Sequence, residues 1–311
     1  MVKSTYLYKN FDIKKKHKNS ILLIGNFDGI HIGHRKLFEL SKKYKKKFNL
    51  KIGVLTFEPL PKMFFNDKIK NFKISNFNQK FGLLNELGVD FIINKKFSYK
   101  FSKMKSLDFI KNIIYKKLKA KYIFVSNNFR FGNKREGNVS QLISQERYYD
   151  FKIVKPRPKK IKQKIISSSL IRKYLENGNL NKANRFLKRN WSIVGRVEKG
   201  RQVGKKIGFP TCNIDIKDYV LAKPGVYAVN AKIDKDHRSI NGIANLGYRP
   251  TFNQKKLLLE VHLFKFSGNL YNKYLTVEFL KFIRKEKKFK SVKELNKQIK
   301  SDLLIAQKYN G

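Results

Sequence analysis

The chain has 311 residues and a formal net charge of +49. Because 41% of its residues are hydrophobic, disorder throughout is excluded. Its length predicts two folded domains of roughly 150 residues each. Its single cysteine, Cys212, excludes an internal disulfide and a cysteine-based zinc cluster. No run approaches the roughly 18 apolar residues of a membrane span, and no secretory signal pattern is present, so we predict a cytoplasmic protein.

The first half of the chain alternates short apolar runs with helical patterns. Buried strands are predicted at residues 21–24, 51–57, 89–93, 122–125 and 151–154. Two helical stripes lie between them, formed by Leu37, Leu40, Tyr44 and Phe48 and by Ile110, Ile113, Ile114 and Leu118. This alternation predicts an α/β domain, a Rossmann-like parallel sheet with helices on both faces. Such sheets bind ligands outside the carboxyl ends of their strands.

The turn after the first of these strands has the sequence GNFDGIHIGH (25–34) and holds two of the chain's five histidines. A glycine-rich turn from strand to helix presents backbone N–H groups to an anion, and His31 and His34 add side-chain donors. Three glycines, Gly25, Gly29 and Gly33, leave room for the anion to come close to the backbone. Asp28 can position a metal ion or the nucleotide. The pattern suits a nucleoside triphosphate whose α-phosphate is attacked while pyrophosphate leaves.

Two alternatives to a phosphate site stay open for this turn. A zinc site is one, although two histidines without a third ligand nearby support it weakly. The other is an ordinary glycine-containing turn with two surface histidines.

After Trp191 the sequence changes to strands separated by short turns that contain Gly, Asp or Asn. The predicted strands are WSIVGRVEKG, GVYAVNAKI, SINGIANLG, LLLEVHLFKF and YLTVEFLKFI. Little helix fits between them, which predicts an antiparallel barrel or sandwich. A capping box of Ser291 and Glu294 then begins a closing helix, whose apolar stripe is Val292, Leu295, Ile299 and Leu303. We place the domain boundary at 187/188, giving domains of residues 1–187 and 188–311.

The turn at residues 25–34 resembles the nucleotidylyltransferase signature of bacterial bifunctional riboflavin kinase/FAD synthetases. Three later motifs resemble segments of the same family: TFEPLPKMFF (56–65), FRFGNKREG (129–137) and ISSSLIR (166–172). Four more resemble its flavokinase module: GFPTCNI (208–214), GVYAV (225–229), GIANLGYRPTF (242–252) and LEVHLF (259–264). Since these motifs keep the family's order along nearly the entire chain, chance is a poor explanation.

The resemblance implies that the first domain converts FMN and ATP into FAD and pyrophosphate. It implies that His31 and His34 contact the ATP phosphates, with Asn26 and Asp28 beside them. A later loop is implied to approach the same phosphates through Ser167, Ser168 and Arg172. A serine N-cap on the helix that follows is the alternative interpretation of that loop, and it is compatible with the first. The flavin-region candidates are Phe57, Pro59, Asn128 and Phe129 in this domain and Arg284 in the next.

The resemblance further implies that the second domain is a six-stranded antiparallel β-barrel that phosphorylates riboflavin. Thr211 and Asn213 alternate with Cys212 on an extended segment, so their oxygens share a face and suit Mg²⁺, the role that the resemblance assigns to them. The backbone is expected to stay open to ATP phosphates at three glycines, Gly200, Gly204 and Gly208.

Glu260 matches the family's catalytic glutamate and would act as the base for the ribityl hydroxyl. By itself, a glutamate on a strand is more often simply solvated. Strand alternation places His262 on the same face as Glu260, and we interpret His262 as structural or as a neighbour of the flavin.

Six residues depart from the family's pattern: Leu60, Asn128, Ser169, which replaces a threonine, Lys205, Lys265 and Asn272. Asn128 stands where an acid is usual, so hydrogen bonding is kept but a negative charge is lost. Lys205 replaces an arginine, which keeps the charge but loses the bidentate geometry.

We predict a bifunctional enzyme that requires Mg²⁺, acts on riboflavin, FMN and ATP, forms FMN and FAD, and is a monomer or a weak homo-oligomer. One alternative is a kinase whose synthetase half is weakened by Asn128, and another is a non-catalytic flavin carrier. A nucleic-acid-binding protein is a third, supported by charge alone. Because the 58 lysines and 13 arginines are spread over every segment without a nucleic-acid-binding motif, we predict no obligate nucleic acid and no membrane partner.

Overall fold

The computed structural model describes residues 4–161, 164–199, 204, 207–234, 236, 238–250 and 255–309. They form two compact units. The first unit comprises the chain up to Ile69 together with Phe77–Ser167, and the second comprises Lys70–Asn76 and the chain from Ser168 onward.

The first unit consists of short strands connected by helices. Its strands are β1 (Tyr6–Tyr8), β2 (Ile21–Ile24), β3 (Ile52–Glu58), β4 (Phe91–Lys96), β5 (Tyr122–Phe124), β6 (Arg130–Phe131), β7 (Gly137–Asn138), β8 (Lys152–Val154), β9 (Lys160–Ile161) and β10 (Lys164–Ile165). Its helices are α1 (Ile32–Phe48), α2 (Pro61–Phe64), α3 (Phe77–Glu86), α4 (Tyr99–Ser102), α5 (Ser106–Asp108), which continues into a π-helical segment (Phe109–Leu118), and α6 (Val139–Ser144).

Six of these strands form one parallel sheet in the order β1-β4-β3-β2-β5-β8. Both faces of the sheet are covered. Leu55 and Ile93 belong to the core cluster that includes the π-helical segment, whereas Val54 and Ile92 belong to the cluster that includes residues of α1 and α3. A sheet buried on both faces requires continuous apolar strands, which is the pattern seen in the sequence. The predicted α/β fold is confirmed.

The predicted helical stripes lie where expected, with one difference in winding. Three residues of the first stripe, Leu37, Leu40 and Tyr44, pack against the core from α1, whereas Phe48 at its end is 39% exposed. The second stripe lies in the π-helical segment instead of a regular α-helix, and its four residues are buried there.

The second unit is an antiparallel barrel with three helices described around it. Its strands are β11 (Trp191–Glu198), β12 (Cys212–Asp215), β13 (Gly225–Ile233), β14 (Ile240–Pro250), β15 (Lys255–Leu263) and β16 (Tyr274–Arg284). Its helices are α7 (Ser168–Glu176), α8 (Leu180–Leu187) and α9 (Val292–Gln307). The barrel closes in the order β11-β12-β15-β14-β13-β16, which decides between the barrel and the sandwich and confirms the six-stranded architecture.

The units divide at 167/168, upstream of the predicted boundary at 187/188, because α7 and α8 are bonded to the barrel. The amide of Lys223, in the segment between β12 and β13, donates to Leu175 O of α7 (2.9 Å). In α8, the Asn184 side chain donates to Phe279 O (3.0 Å) and accepts from the Trp191 amide (2.8 Å). The sequence of these residues has the same helical pattern as the helices of the first half, so the pattern does not show which unit they join.

The closing helix α9 begins as predicted at Ser291, whose Oγ accepts from the Glu294 amide (3.2 Å). The reciprocal bond of the capping box is displaced by one residue, since Glu294 Oε2 accepts from the Lys290 amide (3.1 Å). Leu303 packs against the barrel, whereas Val292, which begins the predicted stripe, is 60% exposed. Among the described residues, every helix is too short or too polar to cross a bilayer.

We predict opposite effects on stability for two glycine-to-alanine changes in the first unit. A Cβ at Gly53 in β3 would lie 2.1 Å from the fully buried Phe91 ring, so Gly53→Ala should lower the free energy of unfolding by about 1–3 kcal/mol through overpacking. In α3, a Cβ at Gly82 meets nothing within 4 Å, so Gly82→Ala should raise it by about 0.5–1 kcal/mol. Urea unfolding of both variants measures the difference, and equal shifts would contradict the packing of Phe91 on Gly53.

Candidate active sites

The turn between β2 and α1 leaves the carboxyl end of a central strand with its backbone in an unusual conformation. Phe27, Gly29 and Ile30 have φ angles of 47°, 79° and 41°, in the left-handed region that phenylalanine and isoleucine rarely adopt. Phe27 and Ile30 are almost fully buried, and this burial offsets the cost of their backbone conformation. The core beneath therefore fixes the shape of the turn.

His31 is the N-cap of α1. Its Nδ1 accepts hydrogen bonds from the amides of Gly33 (3.1 Å) and His34 (3.3 Å), so the neutral ring carries its proton on Nε2. A Cβ at residue 33 would lie 3.0 Å from the His31 ring, which explains why glycine suits that position. The cap fixes both the orientation of this imidazole and its tautomer.

His34 stacks on His31 with the ring centroids 3.7 Å apart and the planes inclined by 16°, and Phe27 contacts it edge-on. Its Nδ1 is shielded from solvent and has no hydrogen-bond partner among the described residues. Burial lowers the pKa of His34 well below its usual 6.5, and the positive charge of Lys80, and of His31 whenever that ring is protonated, lowers it further. At neutral pH His34 is therefore a neutral hydrogen-bonding group.

The other predicted residues of the turn lie beside the histidines. The amide of Gly25 donates to Leu55 O (3.1 Å), and Asn26 O accepts from Thr56 Oγ1 (3.3 Å), so the turn is tied to the end of β3. Asp28 is 2% exposed. Among the described residues, no group of three histidine, cysteine, aspartate or glutamate side chains is placed to hold a metal, so the zinc alternative lacks support.

One buried polar residue near the turn, Lys80, was not identified from the sequence. Lys80 in α3 is 2% exposed, and its Nζ donates to Thr56 Oγ1 (3.4 Å). The sequence does indicate that Lys80 is buried, because it stands four residues before Leu84 and therefore lies on the core-facing stripe of its helix.

The residues of the ISSSLIR motif are divided between the units. Ser167 is the last residue of the first unit, whereas Ser168 and Arg172 lie in α7 of the second. Arg172 is 8% exposed, its Nε donates to Phe72 O (2.7 Å), and its guanidinium lies 3.6 Å from the centre of the Phe72 ring. Their joint role at the phosphates stays a prediction.

The flavin-region candidates of the first unit lie partly against one core cluster. Phe57, at the end of β3, contacts the rings of Phe97 (5.9 Å) and Phe101 (5.5 Å), and the Glu58–Pro59 peptide that follows is cis. Phe129 stacks on Phe131 at 5.5 Å, and both Phe57 and Phe129 pack against the same cluster.

Two of the departures from the family's pattern lie close to these candidates. Asn128 accepts from Ser126 Oγ (2.9 Å) through its Oδ1, a bond that an aspartate would also accept. Leu60 is buried at the start of α2.

The second unit contains a cavity of about 350 Å³ beside the barrel and α9. It brings together five of the predicted residues, Gly204, Thr211, Asn213, Glu260 and Arg284. Of the remaining predicted glycines, Gly208 has a φ of 85° and open space around it, while Gly200, like Lys205, lies outside the described residues.

A row of polar side chains crosses three strands at this cavity. Asn213 on β12 is directly opposite Glu260 on β15, which is opposite Asn245 on β14, so the three share one face of the barrel wall. Asn213 is 6% exposed, and its Oδ1 has no hydrogen-bond partner in the part of the chain that the structure describes. A buried carbonyl oxygen without a partner is costly. With the hydroxyl of Thr211 in the same cavity, this donor set fits a hard cation such as Mg²⁺.

His262 holds the segment that carries Thr211. Its Nδ1 lies 2.8 Å from Pro210 O, and since a carbonyl oxygen only accepts, the ring donates from Nδ1. Gly204 supports the same segment because its carbonyl accepts from the Phe209 amide (2.8 Å), and a Cβ there would lie 2.3 Å from Phe209 O. His262 is therefore a supporting residue at this cavity.

Arg284 is held in the cavity wall by an ion pair with α9. Its Nε donates to both carboxylate oxygens of Asp302 (2.9 Å each) and its Nη2 to Oδ2 (2.7 Å), while Gln298 donates to Oδ1 (3.0 Å). Asp302 is 2% exposed, so the paired charges are largely withdrawn from water. This bidentate pair attaches the closing helix to β16.

Sequence reasoning missed three further residues of this cavity, Asn245, Glu286 and Phe289. Asn245 could be found only from strand register, because nothing in its own neighbourhood of the sequence places it beside Glu260. Two departures, Lys265 and Asn272, have φ angles of 52° and 67°, and asparagine tolerates this conformation best after glycine.

Comparison with known proteins identifies two family models in this chain. A model described as FAD synthetase matches residues 13–170, and one described as riboflavin kinase matches residues 187–310. The bifunctional riboflavin kinase/FMN adenylyltransferase of Buchnera aphidicola subsp. Acyrthosiphon pisum is 40% identical over 96% of this chain and 96% of its own length. The Escherichia coli K12 protein of the same name is 36% identical over 94% and 93%.

A crystal structure described as a macrolide-efflux protein from Streptococcus pneumoniae has the same fold as this chain. It covers 97% of this chain and 98% of its own chain, with a TM-score of 0.85 and 29% identity. Its name differs from the descriptions of both family models.

We predict that the stability of the first unit falls in mild acid partly because of His34. The unfolded chain binds a proton near pH 6.5, whereas the folded His34 resists protonation because its pKa is lowered. The free energy of unfolding should therefore decrease as the pH falls from about 7.5 to about 5.5, and less steeply in His34→Asn. Urea unfolding across this range measures both slopes, and identical slopes would contradict burial of a neutral imidazole.

Proposed function

This chain belongs to the family of bifunctional riboflavin kinase/FMN adenylyltransferases. We propose that the histidine turn of the first unit (residues 25–34, with His31 and His34) is the adenylyltransferase site and that the barrel cavity of the second unit is the kinase site. The enzyme phosphorylates riboflavin to FMN and adenylylates FMN to FAD, with ATP as the donor in both reactions. The observation that carries the assignment is the row of Asn213, Glu260 and Asn245 inside a barrel cavity, because it separates a second site from the histidine turn.

In adenylyl transfer, a phosphate oxygen of FMN forms a bond to the α-phosphorus of ATP. The bond from this phosphorus to the oxygen that bridges to the β-phosphate breaks, and pyrophosphate leaves. His31 donates from Nε2 to the phosphate oxygens, and the stacked His34 holds that ring in place. The positive end of the α1 dipole faces the same charge. The role of the turn is electrostatic and positional.

In the kinase reaction, the terminal ribityl hydroxyl of riboflavin forms a bond to the γ-phosphorus of ATP, and ADP leaves. Glu260 accepts the proton of that hydroxyl from its place in the cavity wall. Thr211 and Asn213 would hold Mg²⁺, which neutralises charge on the ATP phosphates when it is bound. His262 positions these ligands through Pro210, and Arg284 supports the wall that receives the flavin.

The flavin of the adenylyltransferase reaction is assigned to the aromatic region that contains Phe57, Pro59 and Phe129. Phe57 supports this, since its ring lies at the carboxyl end of β3, the strand that also ties down the histidine turn. Asn128 keeps a hydrogen bond that an acid would make, so its loop does not require the missing charge.

We assign the protein to the cytoplasm as a monomer or weak homo-oligomer, without an obligate nucleic acid or membrane partner. Support comes from the even spread of its lysines and from substrates that are small and soluble.

We predict that the two activities can be removed separately. His31→Asn combined with His34→Ala keeps a residue that caps helices well and removes both imidazoles, so FAD formation should fall by about 10²–10³-fold while FMN formation is unchanged. Glu260→Ala should lower FMN formation by about 10²–10⁴-fold and spare FAD formation from supplied FMN. Chromatography of riboflavin, FMN and FAD over time measures both.

Each variant's remaining activity is the control for folding in this experiment. Loss of both activities in a folded variant would contradict the two-site assignment. Wild-type protein that forms FMN without FAD would favour the kinase with a weakened synthetase half.

We predict that Asn213→Ala raises the Mg²⁺ concentration for half-maximal riboflavin phosphorylation by roughly 10–100-fold, because the buried Oδ1 no longer contributes a ligand. Cys212→Ala is the matched control, since the neighbouring side chain points to the opposite face of the strand. Titration of kinase activity with Mg²⁺ distinguishes the two. An unchanged requirement in Asn213→Ala would show that this oxygen is not a ligand.

A further inference from the structure

Lys80 is a buried basic residue near the amino end of its helix. It lies in the first turn of α3 on the stripe that faces the sheet, and 2% of it is exposed. Burial removes the ammonium group from water, and the first turn places it at the positive end of the helix dipole.

The Lys80 side chain points toward the carboxyl edge of the sheet, where the histidine turn lies. Its Nζ donates to Thr56 Oγ1 (3.4 Å), and Thr56 Oγ1 donates to Asn26 O (3.3 Å) in the turn. Lys80 is also one of the charges that lower the pKa of His34, so it acts on the histidine pair through space.

Two buried polar atoms near this lysine are without a hydrogen-bond partner within the described ranges. One is Oδ1 of Asn94, which lies opposite Thr56 on the neighbouring strand and is 7% exposed. The other is Nδ1 of His34. Buried polar atoms are nearly always satisfied in folded proteins. Their place at the ligand-binding edge of a parallel sheet indicates a polar ligand that completes the site.

We propose that Lys80 binds the polyphosphate of ATP during adenylyl transfer and is a fixed positive charge of that site. His31 donates to the phosphates from a ring whose Nδ1 accepts two amide hydrogens, and burial keeps His34 neutral, so neither ring opposes the charge that builds up on the departing pyrophosphate as a cation would. The ammonium group of lysine is a point charge suited to phosphate oxygens. This inference rests on the proposed assignment of adenylyl transfer to the histidine turn.

The test compares Lys80→Gln, which keeps a hydrogen-bond donor and removes the charge, with Lys80→Met and Lys80→Arg. FAD formation is measured at varied ATP, with and without inorganic pyrophosphate. Riboflavin phosphorylation by the same samples reports on folding. Lys45→Met is the matched control, because Lys45 pairs with Asp90 (2.6 Å), which lies just before the amino end of β4.

Both Lys80→Gln and Lys80→Met should lower kcat/KM for ATP in FAD formation by about 10²–10³-fold and leave the kinase activity unchanged. Inhibition by pyrophosphate should require at least about tenfold more of it, since the same cation binds the product. Lys80→Arg should recover part of both effects. Lys45→Met should change neither reaction by more than about threefold.

Wild-type sensitivity to pyrophosphate in a folded Lys80→Gln variant would overturn the proposal, as would an unchanged kcat/KM for ATP. If the double histidine variant kept FAD formation, the assignment of the turn itself would be wrong. The two failures are therefore distinguishable. Should Lys80→Met fail to fold, Lys80→Gln and Lys80→Arg give the same comparison of charge against hydrogen bonding.

Discussion

Strand register is the constraint on which both sites depend. In the first unit, parallel pairing places the carboxyl ends of β2, β3 and β4 at one edge, so Thr56 lies opposite Asn94 beside the histidine turn. In the second unit, antiparallel pairing places Asn213, Glu260 and Asn245 in one row. A shift of one residue would turn these polar side chains to the opposite face of their strands and separate them from one another's site. Because the core side chains are apolar, the spacing of the polar residues along each strand is compatible with this register alone.

The two sites use charge in different ways, although the chain as a whole is strongly basic. At the histidine turn a helix cap fixes the tautomer of His31, burial keeps His34 neutral, and the neighbouring ammonium of Lys80 is fixed inside the fold. At the barrel cavity Glu260 is half-buried, and Arg284 is already neutralised by Asp302. Net charge therefore says little about either site, since each depends on groups withdrawn from bulk solvent.

Several elements follow from the sequence because their signals are local. The apolar runs of β2 and β3, the cap at Ser291 and the stripe of α1 depend on neighbours within a few residues, and the structure contains them nearly as predicted. Elsewhere the local pattern does not decide which unit an element joins. The α7 and α8 helices look like a continuation of the first half, yet backbone and side-chain bonds to Lys223 and Phe279 join them to the barrel. Val292 fits its stripe but is exposed at the first turn of α9.

The sequence alone determined the α/β class of the first half, the β class of the second and the family to which the motifs belong. It also pointed to His31, His34, Asn213 and Glu260, because these residues stand in compact motifs whose chemistry can be recognised locally. Only the tertiary structure showed that His31 caps α1 and that Asn213 lies opposite Glu260. It alone placed Lys80 beside the histidine turn and Asn245 opposite Glu260. These relations join residues far apart in the chain, and pairing and burial decide them after the local elements have formed.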